Sequence, residues 1–318
     1  MSAGSPRDEE ASVRQEDLHF YSDGLRLSAR IYLPEGCGPQ QRRPAVVCVH
    51  GNSGRRDVYM PAFAQRLAEH GLVSLIFYHR GFGDSEGVRT RNVPLEQVRD
   101  ITSAVTFLQQ RPEVDATRIG LLGLSVGGAT VTYAAAVDER VACVVEVAGY
   151  ANGERWTRSK RPTWEMLDLM DALQADRIER VLTGQSRRLP YEVVYPQGPG
   201  IRKRQAEAYS SAQRYEGQYP EGYPLENIDE AMRFAPEEVV HRISPRALLV
   251  IHTERDTMVP VEEGKALYRK AGEPKKLFLI PGADHKEVYA EINAQIFGTV
   301  MRETLDWFDR YLGRGADA

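Results

Sequence analysis

Short apolar runs recur along the chain at 45–49, 73–77, 119–122, 141–147, 247–251 and 277–280. Each is too short for a helix and rich in Val, Ile and Leu. Near-continuous apolar runs mark strands buried on both faces, so they predict a parallel sheet. Helical spacing fills the intervals. Val98, Ile101, Val105 and Leu108 form one stripe, and Ile292, Ile296 and Val300, continuing to Phe308, form another. Strands alternating with helices predict right-handed crossovers and a doubly wound α/β sheet. Ahead of the first run, His19 to Leu33 alternates around Asp23-Gly24, which predicts a hairpin of two edge strands.

The alternation stops between about Tyr150 and Val240. That stretch has no clear strand and is rich in Arg, Tyr, Glu and Gln; it carries Trp156, Trp164 and the run Tyr215 to Tyr223. A structureless loop of that length is improbable, so the pattern predicts a mostly helical insertion placed to cap the strand ends. The expected organisation is a polar N-terminus over 1–16, an α/β core from 17–150 and 241–318, and a helical cap insertion over 151–240.

Composition narrows the class. The chain has 318 residues, a net charge of -4, 42% hydrophobic and 27% charged residues, as expected of a soluble globular protein. No basic excess points to nucleic acid. No apolar run could span a bilayer, and the N-terminus has no secretory pattern. The three cysteines, Cys37, Cys48 and Cys143, suit neither a disulfide framework nor a zinc site. Cys48 and Cys143 lie in apolar runs and read as inert buried thiols. The expectation is a cytoplasmic protein with a small-molecule substrate, no nucleic-acid or membrane partner and no metal or organic cofactor. Oligomeric state is left open, a homodimer included.

Candidate chemistry centres on IGLLGLSVGG at 119–128, which contains the G-x-S-x-G motif Gly123-Leu124-Ser125-Val126-Gly127. An apolar strand precedes it and a helix-compatible run, Ala129 to Ala136, follows. That context makes Ser125 a nucleophile on a sharp strand-to-helix turn. Glycines at 123 and 127 remove the clash of a cramped bend, and the turn aims the Val126 N–H at a developing oxyanion.

Of the seven histidines, chain order in such a site (serine, then acid, then histidine) removes His19, His50, His70 and His79. His241 precedes the 247–251 strand and His252 abuts it. His285 follows the 277–280 strand in Pro-Gly-Ala-Asp-His and is the candidate base. The acid should leave the end of the preceding strand. Asp256 and Glu254 both qualify; Asp256 is preferred because Val259-Pro260 closes its loop tightly. Asp284 is weaker, since adjacent side chains rarely face each other. Serine is a poor nucleophile until an imidazole takes its proton and a carboxylate fixes the imidazole.

The first core strand runs into His50-Gly51-Asn52-Ser53-Gly54, where the Asn52 N–H can be the second oxyanion donor. Arg55 and Arg56 follow it and are candidates to pair with a substrate carboxylate or phosphate.

Together, HGNSG at 50–54, YHRGFGDSEG at 78–87, GLSVGG at 123–128 and the pair ERDTMVP at 254–260 with GADH at 282–285 resemble the α/β-hydrolase superfamily, in particular its dienelactone-hydrolase-like and acyl-esterase-like branches. The resemblance runs from about Leu25 to Leu312, except in the insertion. It implies the α/β-hydrolase fold, a mostly parallel twisted sheet with helices on both faces and a helical cap. The 78–87 segment is similar to that group's D-x-R-G-x-G-x-S-x-G loop, used structurally, but Tyr78 stands where the group commonly has Asp.

The implied activity is a serine hydrolase cleaving a carboxylic ester or thioester through an acyl-enzyme. The rivals are an acyltransferase or C–C hydrolase in a secondary-metabolite or degradation pathway, a peptidase, and a non-catalytic binding protein on the same fold.

Overall fold

The computed structural model describes residues 13–52, 56–196 and 222–313. It opens with the hairpin of β1 (Arg14–Ser22) and β2 (Leu25–Leu33). Ser22 faces Leu25 across Asp23-Gly24, and both turn residues have positive φ, 48° and 80°. A tight two-residue turn of that hand matches strand twist. Only β1 is an edge. On its other side β2 pairs antiparallel with β4 (Val73–Phe77), so the expectation of two edge strands is corrected. Alternating polarity reports how many faces a strand buries, and β2 keeps partly exposed positions such as Ser28 and Arg30 while being paired on both sides.

The remaining core strands are β3 (Arg43–Val49), β5 (Val114–Leu124), β6 (Val141–Val147), β9 (Ala247–Thr253) and β10 (Lys275–Ile280). The sheet order is β1-β2-β4-β3-β5-β6-β9-β10. From β4 onward every pairing is parallel. In β3, Ala45, Val47 and Val49 enter one core while Val46 and Cys48 enter the other. Burial on both faces is why the run reads as continuously apolar.

One face is covered by α2 (Pro94–Gln109), α3 (Val126–Val137) and α8 (Val261–Lys270), through residues such as Ile101, Val105, Val131 and Leu267. The other is covered by α1 (Arg56–Glu69) and α9 (Ala294–Leu312), through Phe63, Leu67, Val300 and Phe308. The α9 stripe starts later than the spacing predicts: Asn293 caps the helix by accepting from Ile296 N–H, and Ile292 lies outside it and exposed. Because the strands following β3 lie on opposite sides of it, the order reverses there. A crevice therefore opens beyond the carboxyl ends of β3 and β5, where such sheets bind ligands.

Beyond β6 the described chain forms α4 (Gly153–Ser159), α5 (Thr163–Thr183), β7 (Arg188–Leu189), α6 (Tyr191–Val194), β8 (Tyr223–Pro224) and α7 (Glu226–Arg233), then returns to β9. The two-residue antiparallel pair β7–β8 is too short to register in a hydrophobic pattern. Asp229 of α7, buried, accepts from Arg177 and Arg180 of α5, each at 2.6 Å, and so clamps the two helices. Residues 215–221 of the aromatic run lie outside the described residues. Tyr223 is buried against Tyr191 and Tyr195.

Candidate active site

Ser125 occupies the single residue between β5 and α3, with φ 57° and ψ -124°. A non-glycine residue in that region stores on the order of 1–3 kcal/mol of strain and persists only where its surroundings over-determine it. Here the Ser125 N–H donates to the Val147 carbonyl at 2.8 Å, and its carbonyl accepts from Gly128 N–H at 2.8 Å. A Cβ on Gly123 would collide with the Gly127 carbonyl, and one on Gly127 would lie 2.6 Å from the Val49 carbonyl oxygen of β3. The bend is thus packed against its own far side and against the neighbouring strand.

The hydroxyl does not cap α3. Ser125 Oγ lies 3.1 Å from His285 Nε2, and His285 Nδ1 lies 2.7 Å from Asp256 Oδ2. The Asp256 carboxylate is fully buried. Its Oδ1 accepts from the N–H groups of Met258 and Val259 at 2.9 and 2.6 Å, and its Oδ2 from Thr253 Oγ1 at 3.1 Å. Burial alone would push this carboxyl up. The imidazoles of His285 and His252 and the Val259 N–H outweigh it and hold Asp256 below the usual carboxylate range.

Glu254 is exposed and Asp256 faces the histidine. Asp284 serves the histidine's backbone. It accepts from His285 N–H at 2.7 Å and from Thr257 Oγ1 at 2.7 Å, capping the short turn His285–Val288. His252 is buried behind Asp256, its Nε2 bonded to the Val259 carbonyl at 3.0 Å.

The loop after β3 closes the other side of the crevice. A Cβ on Gly51 would approach Ser125 Cβ to 3.1 Å, so glycine lets the loop lie against the nucleophile. His50 is buried and pushed down to about 3, by burial first and by His79 next. It is therefore neutral, with Nδ1 donating to the Gly51 carbonyl at 2.8 Å, and it shapes the loop. Asn52 and Val126 line one cavity with Ser125. Val126 is the first residue of α3, where backbone N–H groups have no intrahelical acceptor. The Asn52 side chain accepts from Asn92, whose N–H donates to Asn227 of α7 at 2.8 Å. This amide chain joins residues far apart in sequence, and no local pattern signals it.

Arg55 lies outside the described residues. The structure does not bring Arg56 to the cavity. Its guanidinium is buried, paired with Asp57 at 2.8 and 3.1 Å, bonded to Ser28 and stacked 4.5 Å from the Tyr78 ring. Tyr78, at the position of the resembled group's Asp, donates to Asp57 at 3.0 Å. The rest of the 78–87 loop is anchored by buried Arg80, which donates to Asp100 at 2.6 Å, and by Ser85 Oγ, which donates to the Tyr78 carbonyl at 2.7 Å.

The insertion supplies the opposite wall of the cavity: Trp156, Lys160, Tyr191 and Tyr195, joined by Met258 and Val259 from the Asp256 loop. Trp156 is fixed by its Nε1–H, which donates to the Met258 carbonyl at 2.9 Å, and by stacking on Tyr150 at 4.7 Å. Trp164 is exposed and takes no part. Among the described residues no cluster of His, Cys, Asp or Glu could hold a metal ion, and no helix is long and apolar enough to cross a membrane.

A family model described as "Serine aminopeptidase, S33" matches residues 40–291. The chain belongs to this family of α/β hydrolases. This S33-family chain is 30% identical over 298 residues to the "Uncharacterized 31.7 kDa protein in traX-finO intergenic region" of Escherichia coli, covering 92% of this chain and 98% of that one. It is 37% identical over 142 residues to "Thiohydrolase aneE" of Aspergillus aculeatus, covering 44% and 43%. Among relatives with known structures, "Polyketide transferase grgF" of Penicillium sp. is 25% identical over 311 residues, covering 95% of this chain and 98% of that one. The crystal structure of GrgF superposes with a TM-score of 0.76 at 23% identity, covering 94% and 99%, a likeness of fold. The S33 chain is thus an α/β-hydrolase enzyme.

Proposed function

We propose that this enzyme hydrolyses a carboxylic ester or thioester through an acyl-serine intermediate, with Ser125 as nucleophile, His285 as base and Asp256 as the acid that orients it. The observation that carries this reading is the unbroken relay from Asp256 Oδ2 to His285 Nδ1 at 2.7 Å and from His285 Nε2 to Ser125 Oγ at 3.1 Å, on a serine held in a strained bend.

Asp256 accepts the Nδ1–H of His285 and leaves Nε2 as the proton acceptor. Ser125 Oγ gives its proton to Nε2 as it attacks the carbonyl carbon. The resulting oxyanion takes the N–H groups of Val126 and Asn52. His285 then protonates the departing alkoxide or thiolate, leaving the acyl group on Ser125. Water, deprotonated by His285, attacks that ester, and its collapse releases the carboxylic acid and restores the serine. The names "Thiohydrolase" and "Polyketide transferase" borne by relatives favour acyl esters and thioesters. The second name also favours a second reading, in which an alcohol or amine replaces water in the last step.

The test is Ser125→Ala assayed on p-nitrophenyl esters and on acyl thioesters, with fluorophosphonate labelling of the wild type. Turnover should fall to background while the variant stays folded, and the label should map to Ser125. Normal turnover by the alanine variant refutes the proposal. Adding an alcohol or amine acceptor and measuring the ratio of transfer product to free acid separates the two readings.

A further inference from the structure

Basic residues of α4 and its flank are held by carboxylates or by a backbone carbonyl, with one exception inside the cavity. Arg155 is held by Glu263 at 2.6 Å and Glu237 at 2.9 Å, and Arg158 by Glu154 at 2.8 Å. Arg161 donates to the Val194 carbonyl at 2.9 Å. Lys160, at the end of α4, lines the same cavity as Ser125, Asn52 and Val126. Its ammonium sits 4.3 Å from the centroid of the Trp156 ring. Among the described residues no carboxylate forms an ion pair or hydrogen bond with it. Lys160 is half-buried; a cation partly withdrawn from water without a counter-charge is costly, and a ligand that brings the missing charge removes that cost.

We infer that Lys160 recognises an anionic group, a carboxylate, carried on the acyl part of the substrate that Ser125 attacks; this assignment rests on the acyl-serine mechanism proposed above. The side chains lining the cavity suit such a ligand. Val126, Met258 and Val259 offer apolar wall to a short chain, and the Trp156 ring, itself locked in place, supports the ammonium from below. The charged groups acting on Lys160 are Arg161 beside it and Asp256 from the loop after β9, and the phenols Tyr191 and Tyr195 share its cavity. Burial, then Arg161, push the ammonium down to about 7, while Asp256 acts in the opposite sense. In the free enzyme it therefore loses its proton as pH rises through neutrality, and a bound carboxylate favours the charged form.

The test compares kcat/KM for two esters of equal chain length and the same leaving group, mono-p-nitrophenyl glutarate and p-nitrophenyl pentanoate. Only the first ends in a carboxylate. The wild type should prefer the glutarate, and Lys160→Met should lower that preference by about ten- to a hundredfold, the range of one charge-assisted contact. Protonation of His285 affects both esters alike and cancels in the ratio. The wild-type preference should therefore fall as pH rises through about 7, while Lys160→Arg, charged throughout, should keep its preference. A wild type without preference, or a Lys160→Met enzyme with the wild-type preference, overturns the assignment. Fluorophosphonate labelling of Ser125 run alongside separates the two levels: labelled protein without selectivity sinks only the role of Lys160, whereas unlabelled wild type sinks the acyl-serine mechanism as well.

Discussion

Replacing Asp256 by Asn tests the relay at its buried carboxylate. The side chain keeps its size, but its two ends stop being equivalent. At the Oδ1 position two backbone N–H groups, from Met258 and Val259, demand an acceptor. The amide must therefore put its oxygen there and its NH2 at the Oδ2 position, against Thr253 Oγ1 and His285 Nδ1. An NH2 facing Nδ1 donates to it, which forces the imidazole proton onto Nε2. That proton then points at Ser125 Oγ, where a lone pair is needed. The expected loss in kcat is about 10⁴-fold, the size found when a triad acid is made an amide, or roughly 5 kcal/mol at about 1.36 kcal/mol per decade. The assay is hydrolysis of a short p-nitrophenyl ester near pH 7.5, with thermal melting to confirm that the variant folds. Glu254→Gln, on the exposed neighbour, should leave the rate near wild type. A folded Asp256→Asn enzyme retaining a tenth or more of wild-type kcat would refute the tautomer argument.

Gly123→Ala drives a methyl into the backbone of Gly127 and the Val131 side chain; it should destabilise the fold by about 1–3 kcal/mol as overpacking does and abolish labelling of Ser125, measured by melting and a fluorophosphonate probe. Glu146, buried at the end of β6, is raised well above the usual carboxylate range by burial. Its folded form holds a proton that the unfolded chain releases above about pH 4.3, so its contribution is fully present below that pH and is lost as pH rises toward its folded value. Glu146→Gln should flatten that part of the Tm–pH curve between pH 4 and 9, and an unchanged slope would contradict a proton held there.

The sheet was legible because both of its faces are buried. Ala45 to Val49 and Ala247 to Ile251 read as unbroken apolar runs for the same reason that they sit in the middle of it. The elbow was legible because its constraint is local, with Gly123 and Gly127 two residues either side of Ser125. Between Asp256 and Glu254 the sequence offers only the Val259-Pro260 pair that closes the loop; the N–H groups of Met258 and Val259 that hold the Asp256 carboxylate belong to geometry the folded chain supplies. Arg56 reads from its neighbours as a substrate ligand. It is buried instead, because Tyr78 and Asp57 make a pocket for its guanidinium that no short motif encodes. Lys160 lies in Arg-Ser-Lys-Arg, which in sequence is an ordinary solvated surface. What sets it apart is a tryptophan ring four residues away and a serine from another part of the chain.

The Asn92 side chain donates to the Asn52 side chain and the Asn92 backbone N–H to the Asn227 side chain, a strut of amides from the nucleophile's rim to the helix that closes the insertion. Amides carry no charge to screen and no proton to lose over ordinary pH, so the strut keeps its length when salt or acidity changes. Through it α7 bears on Asn52, the residue whose N–H is proposed to hold the oxyanion. The proposed oxyanion donor and helix α7 are thus joined by one chain of neutral hydrogen bonds.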